Sequence, residues 1–171
     1  MISFADTIKK GKIGERIFKE DFLDFLNINY VDVTGCQQFQ AIDSDYLSTI
    51  GLYEIKTNYK DDGLLIIEEY TNCNEKLGPI SLGWWYKSKA DLLVFISKMT
   101  RTMVFVPFNN AIKQKYQSIR NNYKLLKNQY SVHNNHKWQS AFRKIPLSAI
   151  EGYYSIYKRI GTKNISKEVS L

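Results

Sequence analysis

The stretch Ala41-Ile42-Asp43-Ser44-Asp45-Tyr46-Leu47-Ser48-Thr49-Ile50-Gly51-Leu52-Tyr53-Glu54-Ile55-Lys56-Thr57 decides how this chain is read. It carries two aspartates into an expected strand, turns between Ser48 and Gly51, and returns with Glu54-x-Lys56 on the next strand. Side chains alternate faces along a strand, so Glu54 and Lys56 share one face and Ile55 takes the other. Asp43 and Asp45 share a face by the same rule. Two antiparallel strands of this kind gather carboxylates and an ammonium at one point of a sheet. Glu-x-Lys alone is a common pattern of solvated hairpins, so the surroundings have to carry any functional reading.

The residue types suit one chemistry. A hard cation such as Mg²⁺ takes oxygen ligands, commonly one or two carboxylates completed by water and substrate phosphate. It neutralises charge on a scissile phosphate and makes hydroxide accessible at neutral pH. A lysine two residues past a ligating glutamate orients the attacking water or stabilises charge developing on phosphorus. The expectation is a Mg²⁺-dependent (or Mn²⁺-dependent) phosphodiesterase site, with no small-molecule cofactor.

The surrounding segments add a resemblance. Asp45-Tyr-Leu, the glycine-containing turn and Leu52-Tyr-Glu-Ile-Lys-Thr57 resemble the D…E-x-K core of the PD-(D/E)XK nuclease superfamily. Lys12-Ile-Gly-Glu-Arg-Ile-Phe-Lys-Glu-Asp-Phe-Leu-Asp-Phe-Leu26 is similar to its first core helix, where Glu15 would be the outlying acid of the metal site. The match runs Glu15, Asp43 or Asp45, Glu54, Lys56, and spans roughly residues 10 to 110. It departs from the pattern in having two candidate aspartates, neither preceded by proline. Asp45 is favoured because it directly precedes the apolar residues that enter the turn. The metal set is then Glu15, Asp45 and Glu54, with Asp43 kept as the rival. Gly83-Trp-Trp-Tyr-Lys-Ser-Lys-Ala-Asp-Leu-Leu-Val-Phe-Ile96 and Thr102-Met-Val-Phe-Val-Pro107 look like a passage of some phage and plasmid members, which would put Lys87 and Lys89 near the substrate phosphates. Trp84 and Trp85 read more simply as core. Glu68 and Glu69 read as solvated or edge-facing, though one of them could line the site.

Charge is segregated along the chain. Up to Asp91 there are 15 acids against 10 Lys and Arg; from Leu92 on, 14 Lys and Arg meet two acids. A one-sided basic surface is the footprint of a polyanion-binding protein. Ile112, Tyr116, Ile119, Tyr123 and Leu126 recur at helical spacing, so residues 109–127 are expected to form a helix with one apolar face. Its polar side would present Lys113, Lys115, Arg120, Lys124 and Lys127 to DNA. The polar stretch 128–146, with Lys137, Arg143 and Lys144, reads as a DNA-contacting loop. His133 and His136 lack the further ligands a zinc site needs.

At 171 residues with 44% apolar composition the chain supports one core. Cys36 and Cys73 make neither a metal motif nor a disulfide framework, which points to a reducing, cytoplasmic compartment. Residues 1–10 lack an apolar signal region, and no apolar run approaches the length of a membrane span. The pattern predicts a helix at about 12–27, strands at 30–34, 38–47, 51–57 and 63–70, a helix or loop to 90, and strands at 91–97 and 102–107. A helix at 109–127, a short one near 136–142 and another near 147–158 follow. These make an α/β fold: one restriction-endonuclease-like domain over residues 1–160, with a mixed central sheet flanked by helices, and a tail at 161–171. What the resemblance implies is a homodimeric endonuclease that acts on DNA, selective for branched structures such as Holliday junctions, with restriction or homing endonucleases as the near alternative. A DNA-binding protein that keeps the scaffold without the activity is the alternative of another class.

Overall fold

The computed structural model describes the backbone of residues 4–74, 78–128, 131–133, 136–160 and 164–165, and the side chains of 11–73, 81–128 and 139–159. Helix α1 (Phe4–Phe18) runs into a wider π-type turn at Lys19–Leu23; α2 (Gln37–Gln40), α3 (Trp84–Lys87) and α4 (Asn110–Ile119) follow. The strands are β1 (Tyr30–Asp32), β2 (Tyr46–Ser48), β3 (Gly51–Tyr59), β4 (Leu64–Asn74), β5 (Gly78–Leu82), β6 (Leu92–Ser97) and β7 (Met103–Pro107). Then come β8 (Leu126–Lys127), β9 (Ser131–His133), β10 (His136–Trp138), β11 (Ala141–Pro146), β12 (Ser155–Tyr157), β13 (Arg159–Ile160) and β14 (Asn164–Ile165). Among the described residues, no helix is long and apolar enough to cross a membrane.

The protein is a single α/β domain. A six-stranded mixed sheet has the order β1-β2-β3-β6-β7-β12, with β3 and β6 parallel and the other pairs antiparallel. An antiparallel sheet of order β5-β4-β11-β8 lies against one of its faces. Strand β6 explains the layering: it is apolar from Leu92 to Ile96 because both of its faces are covered. Val94 and Ile96 join Tyr53 and Ile55 in packing under Ile17, Phe18 and Leu23 of α1 and its turn. Leu93 and Phe95 point the other way, onto Leu65, Ile67 and Ile145 of the second sheet, Trp84 and Trp85 of α3, and Ile112 and Tyr116 of α4. The two tryptophans are therefore core residues.

Gly14 sets how closely α1 approaches the sheet. A Cβ at this position would lie 1.7 Å from Thr57 Cγ2, so only glycine permits the contact. At the far end of α1, Asp21 is buried against Arg101 and Arg159, and its carbonyl accepts a hydrogen bond from Tyr157 Oη at 2.8 Å.

Several elements differ from the pattern-based expectation. The strand expected over 38–47 is the short helix α2 and a turn in which Asp43 takes φ +49°, and pairing starts only at Asp45. Asp43 and Asp45 therefore do not share a strand face. Asparagine and aspartate tolerate the left-handed region better than other side-chain-bearing residues, which lets Asp43 turn the chain there. The helix expected to 127 stops at Ile119, passes through a tight turn at Arg120–Asn122, and gives way to β8. Asn121 and Asn122 are weak helix formers, and Arg120 is drawn inward by Glu69. The helix near 136–142 is absent: β10 and β11 occupy that stretch. In β11 the inward positions are Ala141, Arg143 and Ile145, so an inward arginine hides the period of two. Instead of a helix near 147–158 there is a single 3-10 turn at Leu147–Ile150, ended by Gly152 at φ +82°, and then β12. The tail from 161 lies outside the described residues apart from Asn164–Ile165.

Candidate active site

Three separated segments bring their acids to one groove of about 580 Å³, lined by Glu15, Asp43, Asp45 and Glu54 among others. Glu15 comes from α1, next to the glycine that seats the helix on β3. Asp45 is held at the start of β2 by three hydrogen bonds. Its N–H donates to the Tyr53 carbonyl at 2.8 Å, its own carbonyl accepts from Val33 N–H at 3.0 Å, and its Oδ2 accepts from Ile55 N–H at 2.7 Å. The last bond is possible because β2 pairs with β3 only as far as Tyr53, which leaves the Ile55 amide free for a side chain. Asp43 is fixed through its backbone: its carbonyl accepts from Ser88 Oγ at 3.2 Å, and the neighbouring Ile42 carbonyl accepts from Lys89 N–H at 3.0 Å.

Glu54 and Lys56 face the same side of β3, as alternation requires. Glu54 is 5% exposed and ion-paired to the Lys56 ammonium. That ammonium also sits 4.8 Å above the centre of the Trp84 ring, an arrangement favourable for a cation.

The carboxylates carry more negative charge than their surroundings balance. Burial raises Glu54 to about 8, with Asp45 and Asp43 adding to the rise and Lys56 opposing it. Glu15 is raised to about 6 by burial and by repulsion from Asp45 and Asp32, against the pull of Lys12 and Lys56. Asp45 is raised by burial, then by Asp43 and Asp32, while Ile55 N–H and Lys56 hold it down. Burial pulls Lys56 down, but Glu54, Asp45 and Asp43 together leave it above the ordinary lysine value.

Among the described residues, no three carboxylate, histidine or cysteine side chains close around one point as a ready ligand shell. The donor chemistry nevertheless fits a hard cation. All the candidate donors are carboxylate oxygens, and Asp43 Oδ2 is enclosed without a hydrogen-bond partner among the described residues. Each raised acid would ionise more readily beside a divalent charge.

The basic residues divide into two groups. Lys87, Lys89, Lys124, Lys127 and Lys144 are exposed, and Lys87 lies at the edge of the site beside Lys56. Lys113 stands 4.2 Å over the Phe108 ring, and burial with the nearby Lys89 lowers its pKa. Lys115 is half-buried on α4. Arg120 and Arg143, expected to contact DNA, instead turn to Glu69, at 3.3 and 3.1 Å. The reason is that Glu69 is 1% exposed and needs donors there. The side chains of Lys137, His133 and His136 lie outside the described residues.

Glu68 is the one of the adjacent pair Glu68 and Glu69 that reaches the site. It lines a second groove with Lys56 and Lys87, whereas its neighbour Glu69 is in the core. The signal was available in the alternation of β4: Leu65, Ile67 and Glu69 share a parity, so Glu68 faces away from the core. Comparisons with protein-family models, curated proteins and solved structures find no match for the chain.

Proposed function

We propose that the chain is a divalent-cation-dependent endonuclease that hydrolyses DNA phosphodiester bonds, a member of the PD-(D/E)XK superfamily in its site plan. The observation that carries this reading is the convergence of Glu15, Asp45 and Glu54 on one groove, with Lys56 ion-paired to Glu54, held over the Trp84 ring and lining the adjoining groove. Glu15, Asp45 and Glu54 would hold Mg²⁺ or Mn²⁺, and Asp43 borders the same space. When bound, the cation supplies charge neutralisation at the phosphate and a lowered pKa for water.

The protein's own groups do the rest. The Ile55 amide fixes the Asp45 carboxylate, so its direction is set before any ligand arrives. Lys56 donates to a phosphate oxygen as charge develops, in a setting where Trp84 shields it from water. Lys87, at the edge of the site, and the neighbouring exposed Lys89 would contact the DNA backbone, with Lys113 near Lys89 adding to the same positive field. Branched DNA is the substrate class proposed, with a symmetric dimer cutting two strands.

The test uses labelled four-way junction, linear duplex and single-stranded DNA, with Mg²⁺ or EDTA, for the protein and for Lys56→Ala. Symmetric cutting of the junction, lost with EDTA and in the variant, is the expected result. Cutting at a fixed site in linear duplex would move the reading to a sequence-specific endonuclease. Tight binding with no cutting of any substrate would replace it with a non-catalytic DNA-binding protein.

A further inference from the structure

A second groove of about 430 Å³ adjoins the carboxylate groove, and Gly11 and Asp43 border both. A strand whose phosphate sits at the acids therefore places its next nucleotide here. The lining has two distinct parts. Lys56 and Lys87 supply positive charge, while Glu68, Asn58 and Thr71 supply oxygen acceptors. Thr71 Oγ1 lies 3.2 Å from the Leu82 carbonyl and 2.8 Å from Ser81 Oγ, so its proton already has protein acceptors. Asn58 Oδ1 is enclosed with no hydrogen-bond partner among the described residues, and the same is true of Asp43 Oδ2.

Enclosed acceptors without donors are costly, and a ligand that brings donors relieves them. A phosphate has none to bring, and the Glu68 carboxylate repels it. Phosphate therefore belongs with the two lysines, and the part of the nucleotide that meets Glu68 and Asn58 is the base edge. Carboxylates accept from the cytosine amino group and asparagine pairs with adenine, whereas thymine presents an oxygen and a methyl group in the place of the amine.

We propose that this second groove seats the base next to the scissile phosphate and selects a base bearing an exocyclic amino group, with Glu68 and Asn58 as its readers. The assignment rests on the nuclease reading and adds a specificity to it. Burial raises the Glu68 pKa, with Lys56, Lys87 and a hydrogen bond from Ser140 opposing; the carboxylate's remaining lone pairs can accept from an amine.

The experiment sequences the ends left by cutting DNA randomised around the cleavage point, for the protein, Glu68→Gln and Asn58→Asp. In parallel, metal-free binding of oligonucleotides carrying thymine or cytosine at the selected position is followed by fluorescence anisotropy. The protein should deplete thymine at one position beside the cut by about fivefold or more, and bind the cytosine oligonucleotide more tightly by a similar factor. Glu68→Gln places an amide donor against the thymine oxygen and should reduce both effects below about twofold. Asn58→Asp adds acceptor strength and should deepen them, which guards against a Glu68 variant that merely folds poorly. Cutting and binding with no base preference, or a preference unchanged in both variants, would overturn the groove assignment alone. Failure to bind or cut any DNA would overturn the nuclease reading and this inference with it.

Discussion

Glu54 and Glu69 lie on consecutive strands, both almost wholly buried, and their surroundings treat them in opposite ways. Glu69 Oε1 accepts from Tyr116 Oη at 2.7 Å, Arg143 Nε at 3.1 Å and Arg120 Nη1 at 3.3 Å. Arg120 also reaches Tyr86 Oη, and Arg143 the Tyr123 carbonyl, so one carboxylate ties together β4, α3, α4, the turn after it and β11. Glu54 has Lys56 as its ion-pair partner and two aspartates pressing on it, and its pKa rises to about 8. A buried charge that is met by enough donors holds a fold together; one that is left under-compensated beside other acids is poised for a ligand.

The widest separation between the two should come from removing each charge. Glu54→Gln is expected to lower cleavage by about a thousandfold, the scale of losing one transition-state contact, with no loss of melting temperature. Glu69→Ala should cost about 3–5 kcal/mol by leaving two half-buried arginines and Tyr116 without their shared acceptor, and lower the melting temperature by roughly 10 °C. Thermal melts and single-turnover cleavage on both variants check this. A Glu54→Gln protein that melts as early as Glu69→Ala would erase the distinction.

Gly14→Ala comes next. Its Cβ meets Thr57 at 1.7 Å, so α1 must lift from β3. The expected loss is about 1–3 kcal/mol in denaturant unfolding, together with weaker cleavage, since Glu15 moves with the helix.

The smallest effect is a pH dependence. Glu54 and Glu15 bind protons more tightly in the folded chain, at about 8 and about 6, than at the ordinary glutamate value of 4.5. Folded protein therefore holds more protons than unfolded protein between these values, and stability falls as pH rises through the window. Without divalent cations, the wild-type protein should lose stability more steeply than Glu54→Gln as the pH rises from 5 to 8.5. Equal slopes in chemical denaturation would place the Glu54 charge outside the groove's balance.

The parts of this comparison were unequally legible. Strands β3, β6 and β7 follow from apolar and alternating residues, and Glu54 with Lys56 on one face follows from the period of two. The approach of Glu15 was available only as a resemblance; its physical cause, Gly14 against Thr57, depends on a contact between residues 43 positions apart. The Glu69 cluster was hidden because inward arginines read as surface charge. Arg143 broke the pattern of β11 and Arg120 extended the apparent helix, although each has its place through a glutamate more than 50 positions away. The turn at Asp43 was hidden because Gln37–Ile42 carries no glycine or proline to mark it.

The most direct measurement is a calorimetric titration of Mg²⁺ into DNA-free protein at pH 8, run in two buffers of different ionisation enthalpy. Saturable binding with proton release, abolished in Glu54→Gln and kept in Lys87→Ala, is the predicted result, since ligand carboxylates must shed their protons to hold the ion. Absence of binding, or identical binding in Glu54→Gln, would contradict the account.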